Sequence, residues 1–86
     1  MIKIWFKVLF DEKIVKSKVF GLDGILSEQN FLEILHHACN EFDIPTPIVL
    51  KSHLFSYVNF NTTTFKPSDF VESFEFDALV LENASD

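Results

Sequence analysis

Between Ser27 and Phe42 the chain reads SEQNFLEILHHACNEF, in which Phe31, Leu35, Ala38, Cys39 and Phe42 recur at i, i+4, i+7, i+8 and i+11. That spacing lines one side of a helix with apolar groups, and Leu32 and Ile34 widen the stripe. The start is well marked. Ser27 is an N-cap residue, Glu28 places a negative charge in the first turn, and Leu26 and Phe31 stand at the two positions of a hydrophobic staple. Ile44 precedes Pro45, whose ring disfavours helical geometry in the residue before it, so the helix is expected to stop between Glu41 and Asp43.

Upstream, the period is two. Ile2, Ile4, Phe6, Val8 and Phe10 alternate with Lys3, Trp5, Lys7 and Leu9, and Val15, Ser17 and Val19 alternate again after Asp11-Glu12-Lys13. This is a hairpin of two half-buried strands. With no Gly or Asn for a primed two-residue turn, a four-residue loop around a type I turn is expected. Phe10 then pairs with Val15, Val8 with Ser17 and Phe6 with Val19, which leaves Trp5 opposite Phe20 and Lys7 opposite Lys18 on the other face. Gly21-Leu22-Asp23-Gly24 forms the loop to the helix.

Downstream, Ile48-Val49-Leu50 is apolar at consecutive positions, as in a strand covered on both faces, and is expected at the centre of the sheet. Ser52 is placed to cap a short helix with Leu54, Phe55 and Val58 on its apolar side, although a strand through Tyr57 and Phe60 fits the same residues. Thr62 to Phe65 suits a strand and Pro67-Ser68-Asp69 a turn or single helical turn. Ser73 to Glu82 reads as the last strand, with a bulge near Asp77. The fold expected is α+β over residues 1–82, with a polar tail at 83–86. It has a mostly antiparallel sheet of four to five strands and one long helix packed on one face, in the order β-β-α-β-(short α)-β-β.

Eighty-six residues make one domain, and eleven Phe with Trp5 and Tyr57 supply an aromatic core for it. The longest apolar runs are far short of the ~20 residues that span a bilayer, so no membrane segment is expected and the reading is cytoplasmic. Charge is uneven. Residues 1–18 hold five lysines against two acids, a balance of +3, whereas residues 19–86 hold two lysines against eleven acids, a balance of −9. A net charge of −6 and the absence of Arg argue against direct nucleic-acid binding, which depends on neutralising phosphates.

His36, His37, Cys39 and His53 are the metal-ligand types present. Neighbouring helical residues point about 100° apart, so His36 and His37 do not share an ion, and paired Cys-x-x-Cys or His-x-x-x-His spacing is missing. No metal or other cofactor is expected. A nucleophilic Cys39 partnered by His53 conflicts with the apolar-face position of the thiol. Glu75 and Asp77 share one face of an alternating strand, the ordinary pattern of a solvated surface. No catalytic set converges, and the chain reads as a non-enzyme.

The strings DIPTPIVL and FNTTTFKPSDFVESFEFDALVLEN contain an Ile-Pro-x-Pro step at Ile44–Pro47. They also contain a Thr-x-Phe…Asp-Phe-x-Glu-Ser…Phe-Asp ending, at Thr63–Phe65, Asp69–Ser73 and Phe76-Asp77. In these features and in length the chain resembles a family of small proteins of anaerobic Gram-positive bacteria that has no established activity. The resemblance implies a stand-alone bacterial cytosolic protein and assigns no catalytic residues.

Two functions from different classes follow. The first is a non-enzymatic interaction domain that self-associates or docks a protein partner through Trp5, Phe20, Lys7 and Lys18 on the second face of the hairpin. The alternative is an acidic inhibitor that imitates nucleic-acid phosphates through Asp69, Glu72, Glu75, Asp77 and Glu82.

Overall fold

The computed structural model describes residues 1–85; Asp86, the last residue of the expected tail, lies outside the described residues. Strands β1 (Ile2–Phe10) and β2 (Lys13–Leu22) form a hairpin. Helices α1 (Glu28–Phe42) and α2 (Lys51–Phe60) follow, then strand β3 (Thr62–Phe65), a 3-10 turn at Pro67–Asp69 and strand β4 (Ala78–Asn83). The class is α+β, and the four strands form one antiparallel sheet in the order β2-β1-β4-β3. The first and last strands thus lie side by side at its centre.

Alternation decides the layers. Ile4, Phe6 and Val8 of β1, Leu79 and Leu81 of β4 and Phe65 of β3 are wholly buried on one face, where Phe31, Leu35, Ala38 and Cys39 of α1 meet them. Tyr57 of α2 joins the same core and packs against Phe31 with ring centroids 5.5 Å apart. Both helices therefore lie on one side of the sheet. At one end the core is closed by Phe74, stacked on Phe70 at 4.1 Å and edge-on to Phe76 at 5.6 Å.

The first helix starts and stops for local reasons. Ser27 Oγ accepts from the Asn30 backbone N–H, and Asn30 Oδ1 accepts from the Ser27 N–H at 2.7 Å, so two orphan donors are satisfied reciprocally. At the other end Asp43 takes the left-handed conformation at φ 58° and its N–H returns to Asn40 O.

Four expectations are corrected. In place of one long helix, two short helices of 15 and 10 residues share the cover of the sheet. Ile48-Val49-Leu50 is not a strand: Ile48 and Leu50 are about half exposed, and the Ile48 N–H donates to Asp69 O in a lead-in to α2. The central position assigned to it is filled by β1 and β4, which pair with each other across the whole length of the chain. The last strand begins at Ala78, not Ser73, because Phe74 and Phe76 leave the sheet plane for the aromatic end of the core. The element order is accordingly β-β-α-α-β-β.

The fourth correction is the hairpin register. Asp11 and Glu12 both take positive φ, 53° and 64°, which is the two-residue type I′ geometry reached without Gly or Asn. Phe6 stands opposite Lys18 and Ile4 opposite Phe20, with Val15 as the extra residue at a bulge facing Val8 and Leu9. Relative to the expected pairing β2 has slipped by one residue, and a slip of one exchanges its two faces. Phe20 consequently turns into the core, while Val15 and Val19 are about half exposed.

Candidate interaction surface

The face of the sheet turned away from the helices is bare. It presents Lys3, Trp5, Lys7 and Leu9 of β1, Ile14, Ser17 and Val19 of β2, Thr62 and Thr64 of β3, and Ala78, Val80 and Glu82 of β4; none belongs to the buried core. Trp5 is directly opposite Val19 on one side and Glu82 on the other, so it sits at the middle of the face. Lys7 reaches diagonally to Glu82, Nζ to Oε1 at 2.6 Å, and its ammonium lies 4.4 Å from the centre of the Trp5 ring. With side chains 13% and 42% exposed, this pair is worth about 1 kcal/mol. Its larger effect is to leave the centre of the face without net charge.

The structure divides the four residues expected to form a surface. Trp5 and Lys7 are on the bare face. Phe20 is 7% exposed in the core, edge-on to Phe6 at 5.3 Å and to Phe42 at 6.0 Å. Lys18, on the same side of β2 as Phe20, extends along the sheet edge to Glu41 on α1, Nζ to Oε1 at 2.5 Å. Next to it Lys16 Nζ donates to Phe42 O at the C-terminus of α1, where unsatisfied carbonyls and the helix dipole favour a cation. The Lys18 contact holds the Glu41 carboxyl below its ordinary pKa.

The five acids occupy separate places. Glu82 is on the bare face with Lys7. Asp77 Oδ2 accepts from the Asp11 N–H at the hairpin turn, 2.7 Å away, and Asp69 Oδ2 accepts from the Lys66 N–H at 2.8 Å. Glu72 and Glu75 are exposed in the connection before β4.

Asp69 also faces His53, Oδ2 to Nε2 at 3.4 Å, in a polar cleft of about 530 Å³ between α2 and β3 lined by Ser52, Ser56 and Lys66. Sixteen residues separate this pair along the chain, and no local pattern announces it. Chemically it is occupied: His53 Nδ1 accepts from the Leu50 N–H at 2.9 Å, so the neutral ring carries its proton on Nε2 toward the carboxylate. Both nitrogens hold the start of α2 and its neighbouring turn, and neither is free to take a proton from a substrate.

Cys39 is wholly buried, and burial pushes its thiol up to about 12 against a weak opposing contact from Thr46. It is therefore an unreactive thiol under neutral conditions. His36 lies beside Thr46 and His37 beside Glu41, both exposed. Among the described residues no three His, Cys, Asp or Glu side chains converge on a common point, and no helix is long and apolar enough to cross a membrane.

No family model, curated protein or solved structure matches the chain. Geometry alone bears on its role.

Proposed function

We propose that this protein is a non-enzymatic interaction domain that self-associates through the bare face of its sheet. The observation behind the reading is that face itself: a four-stranded sheet with helices on one side only, and Trp5, Leu9, Val19 and Val80 on the other around a neutralised Lys7–Glu82 pair. An antiparallel sheet open on one side normally shows a polar outer face; on this one apolar Trp5, Leu9, Ile14, Val19, Ala78 and Val80 run between Ser17 on one flank and Thr62 and Thr64 on the other.

Size and charge favour a second copy as the occupant. Strands spaced about 4.8 Å apart and rising about 3.3 Å per residue give a face of roughly 500 Å². Two such faces together bury about 1,000 Å², the lower bound for a specific interface. The chain carries a net charge of −6, yet the centre of this face has no net charge, so two copies meet there without direct repulsion. The sheet edges support face-to-face pairing over edge pairing: Lys13, Lys16 and Lys18 line β2, and Ser56 of α2 donates to Thr62 O at the end of β3.

Trp5 is the single tryptophan and reports on its own burial. Sedimentation velocity over a wide concentration range is expected to show the mass rising from one copy toward two, with a blue shift of tryptophan emission in step. Val80→Lys, at a half-buried position on the face, is expected to hold the protein monomeric with a normal circular dichroism spectrum. A constant monomeric mass with unchanged Trp5 emission at the highest soluble concentration would refute self-association.

A further inference from the structure

The two edges of the sheet differ. β3 is four residues long, and its outward Thr62 carbonyl accepts from Ser56 of α2. β2 is ten residues long, and seven of them are exposed. On β1, the Lys3 and Leu9 carbonyls are taken by the N–H groups of Ala84 and Asp77, which flank β4. The odd-numbered residues of β1 therefore bond toward β4 and the even-numbered ones toward β2. Opposite the latter, Lys16, Lys18 and Phe20 bond inward, which turns the N–H and C=O groups of Ser17, Val19 and Gly21 out to the free edge. Among the described residues nothing else in the chain bonds to those outward groups.

Charge gives this edge a preference. The bulge at Val15 takes up one residue, so Lys13, Lys16 and Lys18 stand opposite Phe10, Val8 and Phe6, alternate residues of β1. All three lysines thus form one row on the helix side of β2, and the strand holds no acid. Lys18 meets Glu41 in an exposed pair, and Lys16 reaches the Phe42 carbonyl. An exposed pair of this kind is exchanged for another at little cost. A second β2 strand would set the row of lysines against its own copy. A strand with carboxylates at alternate positions meets an opposite charge at each, and Ser17 and Val19 on the other side suit β-branched residues in between.

We propose that the free edge of β2 takes an extended acidic segment of a partner protein as a fifth strand. Its alternate carboxylates meet Lys13, Lys16 and Lys18, and its main chain bonds to Ser17, Val19 and Gly21. The edge is separate from the open sheet face and does not depend on the pairing proposed for it.

The probe is a fluorescein-labelled peptide, Gly-Glu-Val-Glu-Val-Glu-Thr, titrated with the full chain and read by fluorescence anisotropy. Saturable binding is expected. The isomer Gly-Glu-Glu-Val-Val-Glu-Thr, of equal charge but broken alternation, is expected to bind about threefold to tenfold more weakly. The version with Lys in place of Glu should not bind. Ser17→Pro removes an outward N–H at a position where an edge strand accepts proline, so circular dichroism should be unchanged while binding is lost. N-methylation of both valines in the probe removes the matching donors without touching the protein, and should abolish binding equally. Lys13→Gln combined with Lys18→Gln should weaken it about threefold to tenfold. No saturable binding, equal affinity for the two acidic isomers, binding of the lysine peptide, retained binding in Ser17→Pro or by the methylated probe, or full affinity in the glutamine variant would each overturn the proposal. So would a dimer of the free protein that Ser17→Pro removes and Val80→Lys leaves intact, which would place a second copy on the edge.

Discussion

Phe20 and Val19 are neighbours whose fates depend entirely on hairpin register, and exchanging their roles is the sharpest test of the fold. In the observed pairing Phe20 lies opposite Ile4 and inside, 7% exposed, with its ring edge-on to Phe6 and Phe42; Val19 lies opposite Trp5 and 48% exposed. Burying a Phe side chain is worth about 1.5–3 kcal/mol, and aromatic pairs of this geometry add about 0.5–1.5 kcal/mol. With the cavity left behind, Phe20→Ala should cost about 3–5 kcal/mol. For a chain of this length total stability is on the order of 4–13 kcal/mol, so the loss is a large share of it. The melting temperature should fall by roughly 12–40 °C at about 4–8 °C per kcal/mol. Val19→Ala should cost less than about 1 kcal/mol, since half of its surface is already in water. Urea unfolding followed by far-ultraviolet circular dichroism measures both, with an unchanged slope confirming that the same transition is compared. A cost below about 1 kcal/mol for Phe20→Ala, together with a larger one for Val19→Ala, would refute the register and restore the pairing of Phe6 with Val19.

Four further outcomes follow from the same structure. Leu35→Ala, at a wholly buried position in the middle of the α1 stripe, should destabilise by about 2–5 kcal/mol, whereas His37→Ala, mostly in water, should change the urea midpoint little. Replacing Asp11-Glu12 by Asn-Gly should stabilise by about 0.5–1 kcal/mol, because both residues occupy left-handed backbone that Asn and Gly adopt more readily; no gain in the melt would contradict the type I′ turn. Cys39 should resist iodoacetamide at pH 8 in the folded protein and react promptly in urea, with the protection measured by mass spectrometry. Glu41 has a lowered pKa in the fold, so its contribution is fully present above the unfolded carboxyl pKa and is lost as pH falls through the lower folded one. Glu41→Gln should therefore weaken the protein slightly at pH 7 and not at pH 2, as read by thermal melts.

What the amino-acid sequence determined by itself is everything set by contacts within about four residues. The stripe from Phe31 to Phe42, its Ser27 cap and its stop before Pro45 define α1 to within a residue, and strict alternation from Ile4 to Val8 names the inward side of β1. The strand at Thr62–Phe65 and the helical turn at Pro67–Asp69 were legible for the same reason. Tertiary structure decided the rest. Two acidic residues were driven into left-handed backbone because the right-handed twist of the paired strands favours a type I′ turn, and that turn shifted Phe20 from a surface to the core. The long-range pairing of β1 with β4 filled the centre of the sheet, which left Ile48–Leu50 outside it as the lead-in to α2. Of the surface expected from the hairpin, Trp5 and Lys7 remain, joined by Val80 and Glu82 from the far end of the chain. The Tyr57 hydroxyl, buried with no hydrogen-bond partner among the described residues, and the His53–Asp69 contact have no local signature at all. Each depends on segments that meet only after the chain has folded, where burial and register, not propensity, set the geometry.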